Sequence, residues 1–410
     1  MLNIAITGLG VVAPAGIGKV QFWANVKNGR SAVSTIERFD ASRYPSRIAG
    51  QIHQLDAYSH ISGRLIKKID DFSHMALITS ELALQDAKID LSKENLDRVG
   101  IFLGNAIGGW LYAETELRDL YLEGREGVSP FMASAWFPAA PQGQISIYYG
   151  IKGFSKTIVA DRASSLQAIG YAAKNLQKGR ADFILAGGTE APVTPYALLC
   201  CNTNGSLSRN NDSPKTAYRP FDKNRDGFVI GEGSGMLILE TKERAEKRGV
   251  PVFAYIKGFT ANGDGYDRIK PNISGKELAR AIQECLGDAG YRKEDIDYIC
   301  LDGIATKEGD ESEYNALKIV FDSYVNKIQM SAPKSIFGNL LGASGVMDVV
   351  ATVMGMQSNL IPPMINCNDP DFDLDFVKDK ARQKEIKKAL VISRGRGGIN
   401  TVLAIEKVNS

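Results

Sequence analysis

Apolar residues recur along the chain in two alternating rhythms. Short runs rich in β-branched residues, such as NIAITGLG (3–10), RVGIFLGN (98–105), TIVA (157–160), DFILAGG (182–188) and GMLILE (235–240), read as strands buried on both faces. The second half repeats the pattern at VFAYIKGF (252–259), DYICLDG (297–303), ALVISRG (389–395) and NTVLAIEK (400–407). Between them, apolar positions spaced three and four apart predict helices over 72–89, 110–122, 163–178, 242–248, 276–289, 311–321 and 344–358. Strands alternating with helices predict an α/β fold, its sheets covered by helices. Near the middle of each half a strand ends in a Gly-bearing loop, LGNAIGG (103–109) and LDGIATKEGD (301–310), before a helix. Each half closes on a Gly-rich strand pair. This echo predicts an internal duplication, with halves at 1–250 and 251–410 sharing one core.

One junction stands out. In VADRASSLQAIGYA (159–172) a strand turns sharply into a buried helix, and a large cation, Arg162, sits at the tip. Such a tip is exposed and faces the positive end of the helix dipole, a place suited to a nucleophile. A guanidinium there stays protonated and offers no nucleophilic lone pair.

Composition narrows the chemistry. The 410 residues are 44% hydrophobic and 23% charged, with a net charge of +2 from dispersed Lys and Arg, which argues against a dedicated nucleic-acid or membrane surface. No apolar run approaches the ~18 residues of a membrane span. The opening MLNIAITGLGVVAPAG alternates like a strand and has no basic segment, unlike a signal peptide. Five scattered cysteines (Cys200, Cys201, Cys285, Cys300, Cys367) without a C-x-x-C pair read as reduced, cytoplasmic and mostly buried. The three histidines, His53, His60 and His74, read as surface or helix-flank residues. None follows position 74, so no mechanism can draw a histidine base from the second half. DKNRDGFVIGEG (222–233) imitates a calcium loop at Asp222, Asn224, Asp226 and Gly227, but its twelfth position is Gly233 and the acid falls early, at Glu232. It reads as a turn, and no metal is expected.

Six stretches, AITGLGVVAPAG, RASSLQAIGYA, ILAGGTEA, RPFDKNRDGFVIGEGSGMLILE, KSIFGNLLGASG and GRGGINTVL, run in order from residue 3 to about 405 and resemble the β-ketoacyl synthase family of the thiolase fold. The resemblance implies a five-layered αβαβα fold from two duplicated halves and an intimate dimer whose subunits complete each other's pockets. It also implies a cysteine at the elbow that carries the acyl chain and two histidines that promote decarboxylation. Here those places hold Arg162, Asp302 (in DGIAT) and Asn339 (in KSIFGN), so no catalytic residue is expected. Lys334, Asp310 and Glu313 are retained and are expected to hold loops. Arg394 and Arg396 occupy the Gly-rich gate loop, SRGRGG, where family members carry an aromatic. In the family fold positions 162 and 302 face each other, which predicts a buried Arg162–Asp302 ion pair filling the vacated site.

NAIGGWLYAETELRDLY and VSPFMASAWFPAAPQGQISIYYGIKG are similar to one subgroup, the chain length factors (ketosynthase β subunits) of type II polyketide systems. That likeness implies a heterodimer with a catalytic ketosynthase α subunit, which carries out the condensation, and a growing polyketide chain in a tunnel at their interface. The phosphopantetheine belongs to an acyl carrier protein, and this chain needs no cofactor. Trp110, Ala113 and Leu117, at i, i+3 and i+7, stand where the subgroup places its chain-length gate, with Tyr112 and Met132 in reach of the interface. The alternative is an autonomous β-ketoacyl-carrier-protein synthase-like acyltransferase or malonyl decarboxylase using Ser164, Ser165 or Asn339.

Overall fold

The computed structural model describes residues 2–203 and 205–408. In chain order the principal strands are β1 (Ile4–Ala13), β2 (Val99–Gly104), β3 (Lys156–Ile158), β4 (Phe183–Glu190), β5 (Gly233–Thr241), β6 (Ala254–Gly263), β7 (Tyr298–Cys300), β8 (Gln329–Ser331), β9 (Asp375–Phe376), β10 (Lys388–Gly395) and β11 (Ile399–Lys407). The principal helices are α1 (Asp71–Asp86), α2 (Trp110–Glu123), α3 (Met132–Trp136), α4 (Ala140–Tyr149), α5 (Ser164–Gln177), α6 (Pro195–Thr203), α7 (Lys276–Ala289), α8 (Lys307–Phe321) and α9 (Ser344–Ser358). The strands hydrogen-bond in the order β9-β8-β7-β10-β11-β6-β1-β5-β4-β2-β3. The short antiparallel β1–β6 pair, Ile4 opposite Ile256, joins the halves.

The repeat reaches fine detail. In one half β2 is parallel to β3 and β4, and β5 antiparallel to β4 and β1. In the other, β7 is parallel to β8 and β10, and β11 antiparallel to β10 and β6. β1 and β6 break register at matching places, between Ile6 and Gly8 and between Ile256 and Gly258. The residue after each bulge donates its N–H to an aspartate at the end of the covering helix: Leu9 to Asp86 at 2.9 Å, Phe259 to Asp288 at 3.0 Å. Glycine is required at both bulges. A Cβ would meet the Ala83 carbonyl oxygen at 2.3 Å from Gly8 and that of Cys285 at 2.6 Å from Gly258.

Apolar clusters among the described residues separate five layers. Strand alternation sends Leu237 and Leu239 inward, onto Leu166, Ile169, Val346 and Val350 of the central helices α5 and α9. Met236 and Ile238 point outward, onto Phe72, Met75 and Ile78 of α1. On the far side Leu390, Ile392 and Val402 meet Leu278, Ile282, Leu317 and Phe321 of α7 and α8. Strands with both faces covered explain their near-continuous apolar runs.

Two local expectations shift. The strand expected over 297–303 ends at Cys300, because the following N–H groups turn away to acids of α8, through backbone with Gly303 at φ 52° and Ala305 at φ 61°. Accordingly α8 starts at Lys307, capped by Thr306, earlier than the apolar spacing predicts. Helices α3, α4 and α6 have no counterpart in that spacing. Among the described residues no helix is long and apolar enough to cross a membrane.

Candidate functional site

The elbow is a rigid turn. Beyond the end of β3 at Ile158 the chain reaches Asp161, whose φ of 51° swings it round before Arg162 and the first turn of α5. The Ser164 hydroxyl accepts the Ala160 N–H at 2.8 Å and donates to the Asp161 carbonyl at 2.6 Å. Ser165 Oγ accepts the Val346 N–H at 3.0 Å. Glycines let the neighbouring strands close on the turn. A Cβ on Gly104 would lie 2.3 Å from the Ser164 carbonyl carbon.

Arg162 leaves this turn with only 14% of its side chain exposed. Its Nη1 lies 3.1 Å from Asp161 Oδ2, and its guanidinium stacks 5.9 Å from the Phe228 ring centre. Its Nε is buried without an acceptor. Burial works against the Asp161 charge, but Arg162 and the Arg396 N–H, 2.6 Å away, overrule it and hold the carboxyl below its usual range.

The expected Arg162–Asp302 pair does not form: no Asp302 oxygen comes within 4.0 Å of the guanidinium. Asp302 is already engaged. Its Oδ1 accepts the Arg394 N–H at 2.9 Å and lies 3.8 Å from Lys334 Nζ. Lys334 is fully buried, 2.8 Å from Asp348 Oδ2 and from the Asp302 carbonyl oxygen. Burial opposes its charge, yet the Asp348 and Asp302 carboxylates keep the ammonium ionised well above the usual lysine range.

The other family positions act on backbone. Glu313 accepts the Asp302 and Gly303 N–H groups at 2.8 and 3.0 Å. Asp310 accepts those of Phe221 and Ala305 at 2.7 and 3.0 Å and lies 3.2 Å from Arg225. Asn339 Oδ1 accepts the Leu341 N–H and the Ser344 hydroxyl, capping the turn into α9, while its Nδ2 is buried without a partner.

The two gate-loop arginines part company. Arg394 is buried, bonded to Asn400, the Gly309 carbonyl and Ser312, and 3.8 Å from Asp264, so its side chain is clamped within the fold. Arg396 is exposed. A cavity of about 50 Å³ lies between Arg162, Asp302, Thr306, Gly309, Arg394 and Arg396. No histidine lines it. His74 is buried inside α1, contrary to a surface or flank position, with its ring nitrogens 3.1 Å from Asp71 and from the Ile66 carbonyl.

The stripe on α2 divides as well. Ala113 is buried, Leu117 is 42% exposed, and Trp110 is half-buried with its ring 4.7 Å from Tyr196 and 6.3 Å from Trp136. The apolar spacing did not single out Tyr196, on α6, or Trp136. Tyr112 faces elsewhere. Its N–H meets Asp70 at 2.8 Å and its hydroxyl Ser129 at 2.9 Å, and half-buried Met132 opens α3. The apparent calcium acids serve turns: Asp222 accepts the N–H groups of Asn224 and Asp369, and Asp226 those of Ser208 (hydroxyl) and Arg209. Cys285, Cys300 and Cys367 are buried, whereas Cys200 is exposed on α6.

The model of the β-ketoacyl synthase N-terminal domain matches residues 1–245, and that of the C-terminal domain residues 253–368. The chain belongs to the β-ketoacyl synthase family. It is 36% identical over 408 residues to the 3-oxoacyl-[acyl-carrier-protein] synthase 2 of Coxiella burnetii, covering 99% of each chain. With the protein of the same name from Synechocystis it is 37% identical over 407 residues, covering 99% of this chain and 98% of the other. Among solved structures, the ishigamide ketosynthase/chain length factor superposes with a TM-score of 0.93 at 26% identity, over 100% of both chains. A type II PKS acyl-carrier protein complex with its ketosynthase bound to the hexaketide, AntDE:AntF, gives 0.91 at 31% identity, over 99% of this chain and 100% of that one. Within this β-ketoacyl synthase fold, the elbow between β3 and α5 carries Arg162.

Proposed function

We propose that this β-ketoacyl synthase homologue is a non-condensing chain length factor, paired with a catalytic ketosynthase and shaping the tunnel in which a carrier-bound poly-β-ketoacyl chain grows. The observation that carries this is Arg162 on the rigid elbow. The position is held as tightly as a nucleophile requires, and its occupant forms no acyl bond. Neighbouring hydroxyls do not replace it. Those of Ser164 and Ser165 are engaged with the backbone, and no histidine reaches the cavity. Losing members of a cooperating catalytic set lowers rate by orders of magnitude.

The surface around the elbow supports a partner chain. β3 is the sheet's outer strand, and Val159 beyond it is 57% exposed. Trp110, Trp136, Phe137 and Tyr196 form a run of touching rings, of which Phe137 and Tyr196 are 55% and 45% exposed. Unpaired edges and contiguous aromatics are costly on a monomer and ordinary at an interface.

The test is reconstitution. Given malonyl-loaded carrier protein, the purified chain alone yields no elongated product, and co-expression with a cysteine-bearing ketosynthase restores it. Replacing Trp110 by alanine then lengthens the product. Elongation by the isolated chain refutes the proposal, and unchanged product length refutes the gate.

A further inference from the structure

The cations around the elbow cavity are unequally engaged. Arg394 is bonded within the fold, and Asp302, which also lines the cavity, takes the Arg394 N–H and lies near Lys334 through Oδ1. Arg162 and Arg396 have fewer partners: Asp161 lies beside the Arg162 guanidinium but accepts only the backbone N–H of Arg396. Among the described residues Arg162 Nε is buried with no acceptor, and no hydrogen bond or ion pair engages the Arg396 side chain. Thr306, also in the wall, accepts from the Gly309 N–H through an oxygen whose own hydrogen can still be donated. Two guanidiniums with donors to spare therefore meet at one confined space.

We propose that this cavity binds a small carboxylate between Arg162 and Arg396. The planar guanidinium fork matches a carboxylate, and charge-assisted bonds of this kind are among the strongest that side chains make. At about 50 Å³ the space takes a few water molecules, and so a carboxylate with its neighbouring carbon, but no acyl chain. The inference rests on the reading that Arg162 has ended acylation at this elbow, and it assigns the vacated position a recognition role.

The test uses the full chain, with acetate, malonate and inorganic phosphate as probes at constant ionic strength. Melting temperature and ligand-observed NMR are the readouts. Acetate and malonate are expected to raise the melting temperature saturably, with phosphate weaker than both. Arg396→Gln, a change at an exposed residue, is expected to weaken carboxylate binding about tenfold or more, the equivalent of one charge-assisted hydrogen bond. Arg162→Gln is expected to abolish it. Absence of saturable carboxylate binding, affinity unchanged in Arg396→Gln, or a preference for phosphate would overturn the assignment. These readouts involve no condensation, so they leave the chain-length proposal to its own test.

Discussion

At the start of α5 and again at the start of α9 the chain passes through a left-handed residue, Asp161 at φ 51° and Leu341 at φ 45°, two positions before the alanine at the helix N-cap. A serine follows each alanine and folds its hydroxyl back, Ser164 onto the Asp161 carbonyl and Ser344 onto the Asn339 side chain. The intervening residue is Arg162 in one half and Gly342 in the other. A Cβ on Gly342 would lie 2.5 Å from the Asn105 Cα and 2.6 Å from the Ala106 nitrogen, so this elbow is sealed against the first half. Arg162 opens onto a cavity. The duplicated backbone thus makes two equally rigid tips, and only one of them has room for a side chain. Charge at the closed copy is internal, in the Lys334–Asp348 pair against α9.

The closed elbow should be the more fragile. Lys334→Met leaves Asp348 buried without its counter-charge and is expected to cost about 3–5 kcal/mol in chemical denaturation. A loss under about 1 kcal/mol would mean that the pair contributes nothing and that the halves differ only in shape. Gly342→Ala tests the shape term alone. The clashing atoms are backbone, so the expected loss is about 1–3 kcal/mol. If the variant is as stable as the parent, the closed elbow has slack and the contrast between the copies fails.

The repeated core was legible because its helices carry one apolar stripe and its strands are apolar on both faces. Those patterns locate α5, α7 and α9 to within a residue or two. Helices α3, α4 and α6 escaped because they carry exposed large apolar residues, such as Ile147 at 78% and Leu199 at 47%, which blur the contrast that spacing relies on. At the site, Arg162 was visible as a residue out of place, but its partner was not. Pairing it with Asp302 assumed that opposite charges across a pocket find each other. The left-handed Asp161 instead brings a carboxylate from the adjacent position, while Lys334 and the Arg394 N–H hold Asp302. Arg394 misleads for a related reason. Within the Gly-rich run SRGRGG it reads as part of a gate loop, and only Asn400, Ser312 and Asp264, far apart in sequence from one another, hold its side chain in place.

The smallest expected effect separates the elbows by pH. The Asp161 carboxyl is held below its usual range, with Arg162 as the main opposing influence against burial. An acid depressed in the folded state contributes stability above its unfolded pKa of about 4 and loses it as pH falls through the folded value. Arg162→Ala is therefore expected to cost about 1 kcal/mol at neutral pH, as suits a largely buried neighbouring pair. As pH falls below about 4 that cost should shrink, because protonation of Asp161 removes the interaction from the parent as well. The Gly342 N–H donates to Glu190, whose carboxyl burial pushes up to about 8, so this acid is already protonated below pH 4 and the Gly342→Ala penalty should stay constant over the same range. Urea denaturation of both variants across this window makes the comparison. A cost for Arg162→Ala that does not change on acidification would show that the arginine acts there by packing against Phe228 and not by its charge, and the open elbow would then differ from the closed one in volume only.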